Sequence, residues 1–272
     1  MRGSSGLKMR LILGVVMAVI AVIGYFGKTQ KNPLTGESQQ VGMSPEQEVA
    51  MGLQSAPQMA EEYGGFYPDN KVQQQIKGVG NRLVHSFNAE LQGRGIRNPY
   101  QFDFHVLRDD QTVNAFALPG GQIFITAGLL SRLKSEDQLA GVLGHEIGHV
   151  IHRHSAQQMA SSSFFQGLAG AATAATGSYG GSQIANYVAQ VKMMKFGRDD
   201  ELESDEFGVN YMINAGYNAS SMIEVMEILA EAGGGDMNRD EFMSSHPSPA
   251  NRVAKIKEHI NTYGGNSAKS GF

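Results

Sequence analysis

Gly144-His145-Glu146-Ile147-Gly148-His149-Val150-Ile151 decides how the rest of this chain is read. The stretch lies in a run of helical character that opens at Ser135, where Gln138 completes a capping box, and continues through Arg153 to about Met159. On a helix, His145 and His149 stand one turn apart on one face. Their imidazole nitrogens can then converge on a single zinc ion at about 2.0–2.1 Å. Glu146, beside the first of them, can reach a water on that metal, which is where a general base must stand. This HExxH spacing points to metal-assisted hydrolysis.

Composition narrows the field. Hydrophobic residues make up 41% and charged residues 18% of 272 positions, a globular balance with room for one or two domains. A net charge of −4 leaves no electrostatic footprint for nucleic acid. Cysteine is absent, so there are no disulfides, thiolate nucleophiles or sulfur ligands. Any zinc must be held by His and carboxylate, and the lack of Cys fits an extracytoplasmic location.

Arg2, Lys8 and Arg10 precede an apolar run from Leu11 to Phe26, followed by Lys28 and Lys31. That length falls between a signal-peptide core and a comfortable membrane span. No small-residue cleavage pair follows, and no Cys is present for lipidation, so an uncleaved anchor is favoured over a cleaved signal. The expected organisation is a leader and anchor or signal segment over 1–27, a polar linker over 28–43, a catalytic domain over 44–264 and a tail over 265–272.

Within the domain, Ser44-Pro45-Glu46-Gln47 predicts a capped helix to about Glu62. A second helix starts near Asp69 with Val72, Ile76, Val79, Leu83 and Phe87 as its buried stripe. Strands are expected over Tyr100–Leu107, Val113–Leu118 and Gln122–Thr126, the last two joined by Pro119-Gly120-Gly121. Ser161 to Gly181, rich in Ser, Ala and Gly, reads as a low-complexity linker or a lid over the cleft. Helices follow over about Asp200–Asn214, Ser220–Glu231 and Pro249–Thr262. Met193-Met194 reads as packing near the cleft, and Arg153 and His154 as residues behind the ligands.

A catalytic zinc takes three protein ligands and keeps one position open. A third His six residues after His149 would complete one known pattern, but that position is Ser155. Glu201 and Asp205, four apart on one helix face, are the better pair, since one can ligate while the other orients a ligand histidine.

The motif with its neighbours resembles peptidase family M48, the HtpX, Oma-type and CAAX prenyl protease group. The residues that carry the resemblance are His145 to His149 with Arg153-His154, then Glu201 with Asp205 and Gly208. Asn32-Pro33-Leu34-Thr35-Gly36, Asn114 to Gly121, and His246-Pro247 with Arg252 extend it over about residues 32–262. Without the several spans of the HtpX and CAAX branches, the chain most resembles the singly anchored bacterial branch. The resemblance implies an α+β fold, a mostly helical gluzincin with a small mixed sheet and the HExxH helix at its centre. It also implies one zinc held by His145, His149 and Glu201, with Asp205 orienting a ligand. For His246 it implies either an oxyanion hydrogen bond or closure of the fourth zinc position at rest. Arg252 either pairs with an acidic residue behind the ligands or helps to hold the oxyanion. Asn114, Ala115, Phe116 and Ala117 resemble the edge strand on which such peptidases lay an extended substrate.

The expectation is therefore a zinc endopeptidase with Glu146 as base, acting on unfolded or misfolded envelope and membrane-associated proteins. It would be inner-membrane anchored and periplasmic, or secreted to the periplasm if the N-terminal segment is cleaved. A non-catalytic, chaperone-like binder of unfolded chains is the rival, and Glu146 argues against it because a pure binder needs no general base.

Overall fold

The computed structural model describes residues 3–173, 196–233, 241–246 and 251–267. Expectations that fall on 174–195 (the end of the low-complexity stretch and Met193-Met194), on Gly234-Gly235, on Pro247, Ser248 and Pro249, and on 268–272 lie outside the described residues. The described helices are α1 Gly3–Phe26, α2 Pro45–Glu62, α3 Asn70–Gly93, α4 Ala127–Leu130, α5 Glu136–Ile151, α6 His154–Thr173, α7 Arg198–Asn214, α8 Ser221–Gly233, α9 Glu241–Ser245 and α10 Arg252–Ser267. The strands are β1 Thr29–Lys31, β2 Ser38–Gln40, β3 Asp103–Leu107, β4 Ala115–Leu118 and β5 Gln122–Thr126. This is the expected mostly helical α+β architecture.

Local chemistry accounts for the boundaries. The Ser44 hydroxyl accepts from Gln47 N while the Gln47 side chain accepts from Ser44 N, closing the capping box that starts α2. Asp69 caps α3, whose stripe of Ile76, Val79, Leu83, Phe87 and Leu91 is buried. The main sheet has the order β3-β5-β4, with β3 parallel and β4 antiparallel to β5. Central β5 is buried along its whole length, and β4 is an edge. α3 packs on β3, and α5 packs on β4 and α3.

α5 is buried from Gln138 to Ile151 because it is apolar on nearly every face apart from its histidines and glutamate. Its most extensive neighbour is α7, and two glycines permit the approach. A Cβ built on Gly148 would stand 2.8 Å from Ser204 Cα, and one on Gly144 would stand 3.1 Å from Gly208 Cα. Side chains at either place would push α7, and the acids it carries, away from the histidines.

Three expectations meet a different structure. First, the helix expected to run through Arg153 stops at Ile151, because Arg153 takes a left-handed conformation at φ 59°. That conformation costs about 1–2 kcal/mol for a residue with a Cβ. It is held by the buried Glu48 carboxylate on α2, 2.8 Å from Arg153 Nε, and by the Met43 carbonyl, 2.7 Å from Nη2.

Second, 28–43 is not an extended linker but a docked hairpin, β1 paired antiparallel with β2. Its polar side chains serve the end of α5. Asn32 donates to the Ile151 carbonyl at 2.8 Å and Gln39 to the His152 carbonyl at 2.8 Å, two of the groups a helix C-terminus leaves unpaired. The Asn32 side-chain oxygen also accepts from Leu34 N, turning the chain and burying Leu34.

Third, the membrane span expected over Leu11–Phe26 is not supported: among the described residues no helix is long and apolar enough to cross a membrane. The apolar part of α1 covers about 24 Å at about 1.5 Å per residue, short of about 30 Å of hydrocarbon. α1 instead lies along α6, with Tyr25 and Phe164 ring centroids 4.6 Å apart, and the stretch from Ser161 to Thr173 is part of that helix rather than a linker.

Candidate metal centre

α5 supplies the first two donors. The His145 and His149 rings, one turn apart, bring their Nε2 atoms to 3.0 Å. α7 delivers Glu201, with Oε2 3.4 Å from His145 Nε2 and Oε1 3.5 Å from His149 Nε2. The backbone after α9 keeps its helical bond from His246 N to the Phe242 carbonyl, which turns His246 Nδ1 inward. That nitrogen lies 2.9 Å from Glu201 Oε1 and 3.3 Å from His145 Nε2. All four residues are buried.

Four donors placed about 2.0–2.1 Å from one centre in a tetrahedron are about 3.3–3.4 Å apart. The observed spacings of 2.9–3.5 Å match that figure. Three imidazole nitrogens and a carboxylate converge here with their acceptor lone pairs on one point, and a single bound cation satisfies all four at once. They fit zinc.

The groups behind the donors fix their roles. His145 Nδ1 lies 2.8 Å from Asp205 Oδ1, so the proton on Nδ1 is donated to the carboxylate and the Nε2 lone pair is left for a metal. Asp205 is gripped by Arg252, Nε to Oδ2 at 2.5 Å and Nη2 to Oδ1 at 2.9 Å. Arg252 Nη1 also lies 2.9 Å from Glu201 Oε2. Arg252 is fully buried.

Burial alone would raise Glu201, but the charge of His246 and the contacts with His145 and His149 hold its carboxyl well below the usual range. Burial and Arg252 push His145 down, yet the Asp205 and Glu201 carboxylates win and lift it to about 9 in the metal-free protein. Burial drives His149 well below the usual histidine value. Glu146 differs from Glu201. Neither of its oxygens has a hydrogen-bond partner among the described residues, and burial pushes its pKa up. A carboxylate held this way is primed to take a proton. His246 Nε2 lies 3.7 Å from Glu146 Oε1.

The structure thus brings together His145, Glu146, His149, Glu201, Asp205, His246 and Arg252. Asn114 to Ala117 lie apart, at the start of edge strand β4 beside α5. The strand start is pinned to the His246 segment, because Phe242 N donates to the Val113 carbonyl at 3.2 Å. Sequence reasoning missed two rings that hold the His246 side chain. Phe242 stacks on it at 4.4 Å between centroids, and Phe196 lies 5.1 Å from it and 4.1 Å from His149. The spacing of Phe242 and His246 on one helix face could have signalled the first; nothing local signals the second.

A model of peptidase family M48 matches residues 70–260. Over 260 residues the chain is 29% identical to a beta-barrel assembly-enhancing protease of Yersinia pestis, covering 92% of this chain and 51% of that protein. Over 161 residues it is 34% identical to the mitochondrial metalloendopeptidase OMA1 of Schizosaccharomyces pombe, covering 59% of this chain and 47% of that protein. Over 195 residues it is 28% identical to the metalloprotease YcaL of Escherichia coli, covering 70% of this chain and 74% of that protein. The chain spans about half the length of the first two relatives.

Proposed function

Since the chain belongs to peptidase family M48, we propose that it is a zinc-dependent endopeptidase that cleaves unfolded or misfolded proteins of a bacterial envelope. The observation that carries this reading is a buried set of four metal donors with a carboxylate beside it, Glu146, that has no hydrogen-bond partner among the described residues. His145, His149 and Glu201 hold the ion. Zinc, when bound, polarises a peptide carbonyl and lowers the pKa of water toward about 7. Glu146 takes the proton from the attacking water and passes it to the leaving nitrogen. Asp205 and Arg252 position His145 and Glu201. The Arg252 guanidinium already engages both carboxylates, Asp205 and Glu201, which favours this positioning role over an oxyanion role.

His246 is the regulated element. With Nδ1 in the fourth donor position, it stands where water must bind, so the centre is closed at rest and opens when His246 leaves. Among the described residues its Nε2 has no hydrogen-bond partner, and its side chain is held by the donor set and the two phenyl rings. Once it has moved, the outer edge of β4 within Asn114–Ala117 would pair with an extended substrate beyond Asn114, whose own backbone groups bond to Thr126; the mode is indifferent to sequence and suited to misfolded chains. The names of the relatives, one of them a beta-barrel assembly-enhancing protease, support an envelope setting. Exposed Ile12, Ile20 and Ile23 on α1 support its seating against an apolar surface.

The test is Glu146→Gln in the full chain. The variant keeps about one zinc per chain, and its cleavage of casein falls by about 10²–10⁴-fold because the amide cannot accept a proton. Undiminished cleavage refutes the mechanism. Capture of unfolded chains by a wild type that never cleaves them favours the chaperone-like alternative.

A further inference from the structure

His149 has a partner on its other ring nitrogen. His154 Nδ1 lies 2.9 Å from His149 Nδ1, and His154 Nε2 lies 3.1 Å from Glu203 Oε2. On the reading that His149 ligates zinc through Nε2, we infer that His154, backed by Glu203, positions His149 by fixing which of its nitrogens carries the proton.

Two facing Nδ1 atoms can hold one proton between them. With Nε2 of His149 committed to metal, its Nδ1 must carry that proton and donate it, and His154 Nδ1 must accept. His154 then carries its own proton on Nε2, where the Glu203 carboxylate stands ready to receive it. The chain Glu203, His154, His149 therefore has one consistent set of donors and acceptors. It parallels the direct Asp205–His145 contact on the other ligand, lengthened by one imidazole. Ser204 Oγ also lies 3.4 Å from His154 Nδ1.

The break between α5 and α6 makes the contact possible. On an unbroken helix, residues five apart point about 140° away from each other, and His154 could not face His149. The left-handed turn at Arg153 brings the ring back. The strain at Arg153 and the buried Glu48 that holds it thus act in the service of His149.

Glu203 Oε2 also lies 3.3 Å from His152 Nδ1, so two imidazoles and a carboxylate converge near the surface as a second metal would require. The proton arrangement argues against that use. With zinc on His149, His154 Nε2 bears a proton and is a donor, not a ligand, so the loaded chain holds one zinc.

The experiment measures zinc affinity of the full chain by competition with a chromophoric chelator, alongside zinc stoichiometry and thermal melting. His154→Leu removes the acceptor and should weaken zinc about 10–100-fold. His154→Asn places an amide oxygen near the lost Nδ1 and should restore most of that affinity. His154→Gln, whose oxygen sits nearer the Nε2 position, should not. Equal affinity in the wild type and His154→Leu overturns the inference. So does equal loss in the Leu, Asn and Gln variants, which marks a packing role, and so does a second zinc in the wild type. A wild type that binds no zinc refutes the endopeptidase reading itself, before any variant is compared.

Discussion

Replacing Arg252 with methionine separates its two possible roles by magnitude. The guanidinium is fully buried, makes two hydrogen bonds to Asp205 and lies 2.9 Å from Glu201 Oε2. Methionine is also unbranched and fills much of the same space, so the loss is mainly electrostatic. Removing one partner of a buried ion pair leaves a stranded charge and costs about 3–5 kcal/mol. For a chain of this size each kcal/mol shifts the melting temperature by about 2–4 °C, so Arg252→Met should melt about 6–20 °C below wild type. Zinc affinity should fall about 10–100-fold, because Asp205 no longer holds His145 in one orientation. Once saturated with zinc, however, the variant should turn over casein within about tenfold of wild type, since transition-state donors alone are worth about 10²–10³. Differential scanning calorimetry with zinc and with chelator, followed by turnover at saturating zinc, gives all three numbers. An unchanged melting temperature with a hundredfold loss of turnover would falsify the positioning role and make Arg252 an oxyanion donor.

Other substitutions probe the remaining elements. His246→Ala should raise basal cleavage of a short peptide, because the fourth donor position is no longer blocked; a loss of about a hundredfold or more, as for an oxyanion donor, refutes the resting-state role. Gly148→Ala should cost about 1–3 kcal/mol in urea unfolding and also weaken zinc, as the new Cβ drives α7 outward; a loss of stability with zinc affinity intact shows that α7 yields without moving Glu201. Burial lowers the pKa of His105, whose ring stacks on Phe124 and whose Nε2 lies 3.0 Å from Gln122. The folded state therefore binds fewer protons there than the unfolded state, and stability from this group should be present above about pH 6.5 and lost as the pH falls below it. Melting temperatures across pH 5–8 should show a shallower acid decline in His105→Gln than in wild type; identical profiles refute the assignment.

The parts of the fold legible in the sequence are those written in local chemistry. The capping box at Ser44, the stripe on α3 and the spacing of His145 and His149 each act within a turn or two, and each lies where expected. Glu201 and Asp205 were narrowed by spacing and assigned by resemblance, and the structure brings both to the histidines. The break at Arg153 was not legible, because the residue that secures its conformation is Glu48, 105 positions away. The hairpin at 29–40 was hidden for a related reason. Polar side chains that pair with a helix end look, in sequence, like polar side chains that face water. Glu203 was lost among neighbouring acids, since only the kink that redirects His154 singles it out.

The hairpin also changes what the N-terminal segment is for. A free linker over 28–43 would behave as a leash, letting the catalytic centre wander over about 20–24 Å. Instead, Asn32 and Gln39 fasten the chain to the last carbonyls of α5, within a turn of His149. If α1 is seated on an apolar surface, as proposed, the His145–His149 centre would be held at a set height above it. The site would then act as a ruler, and a substrate would have to come within its reach.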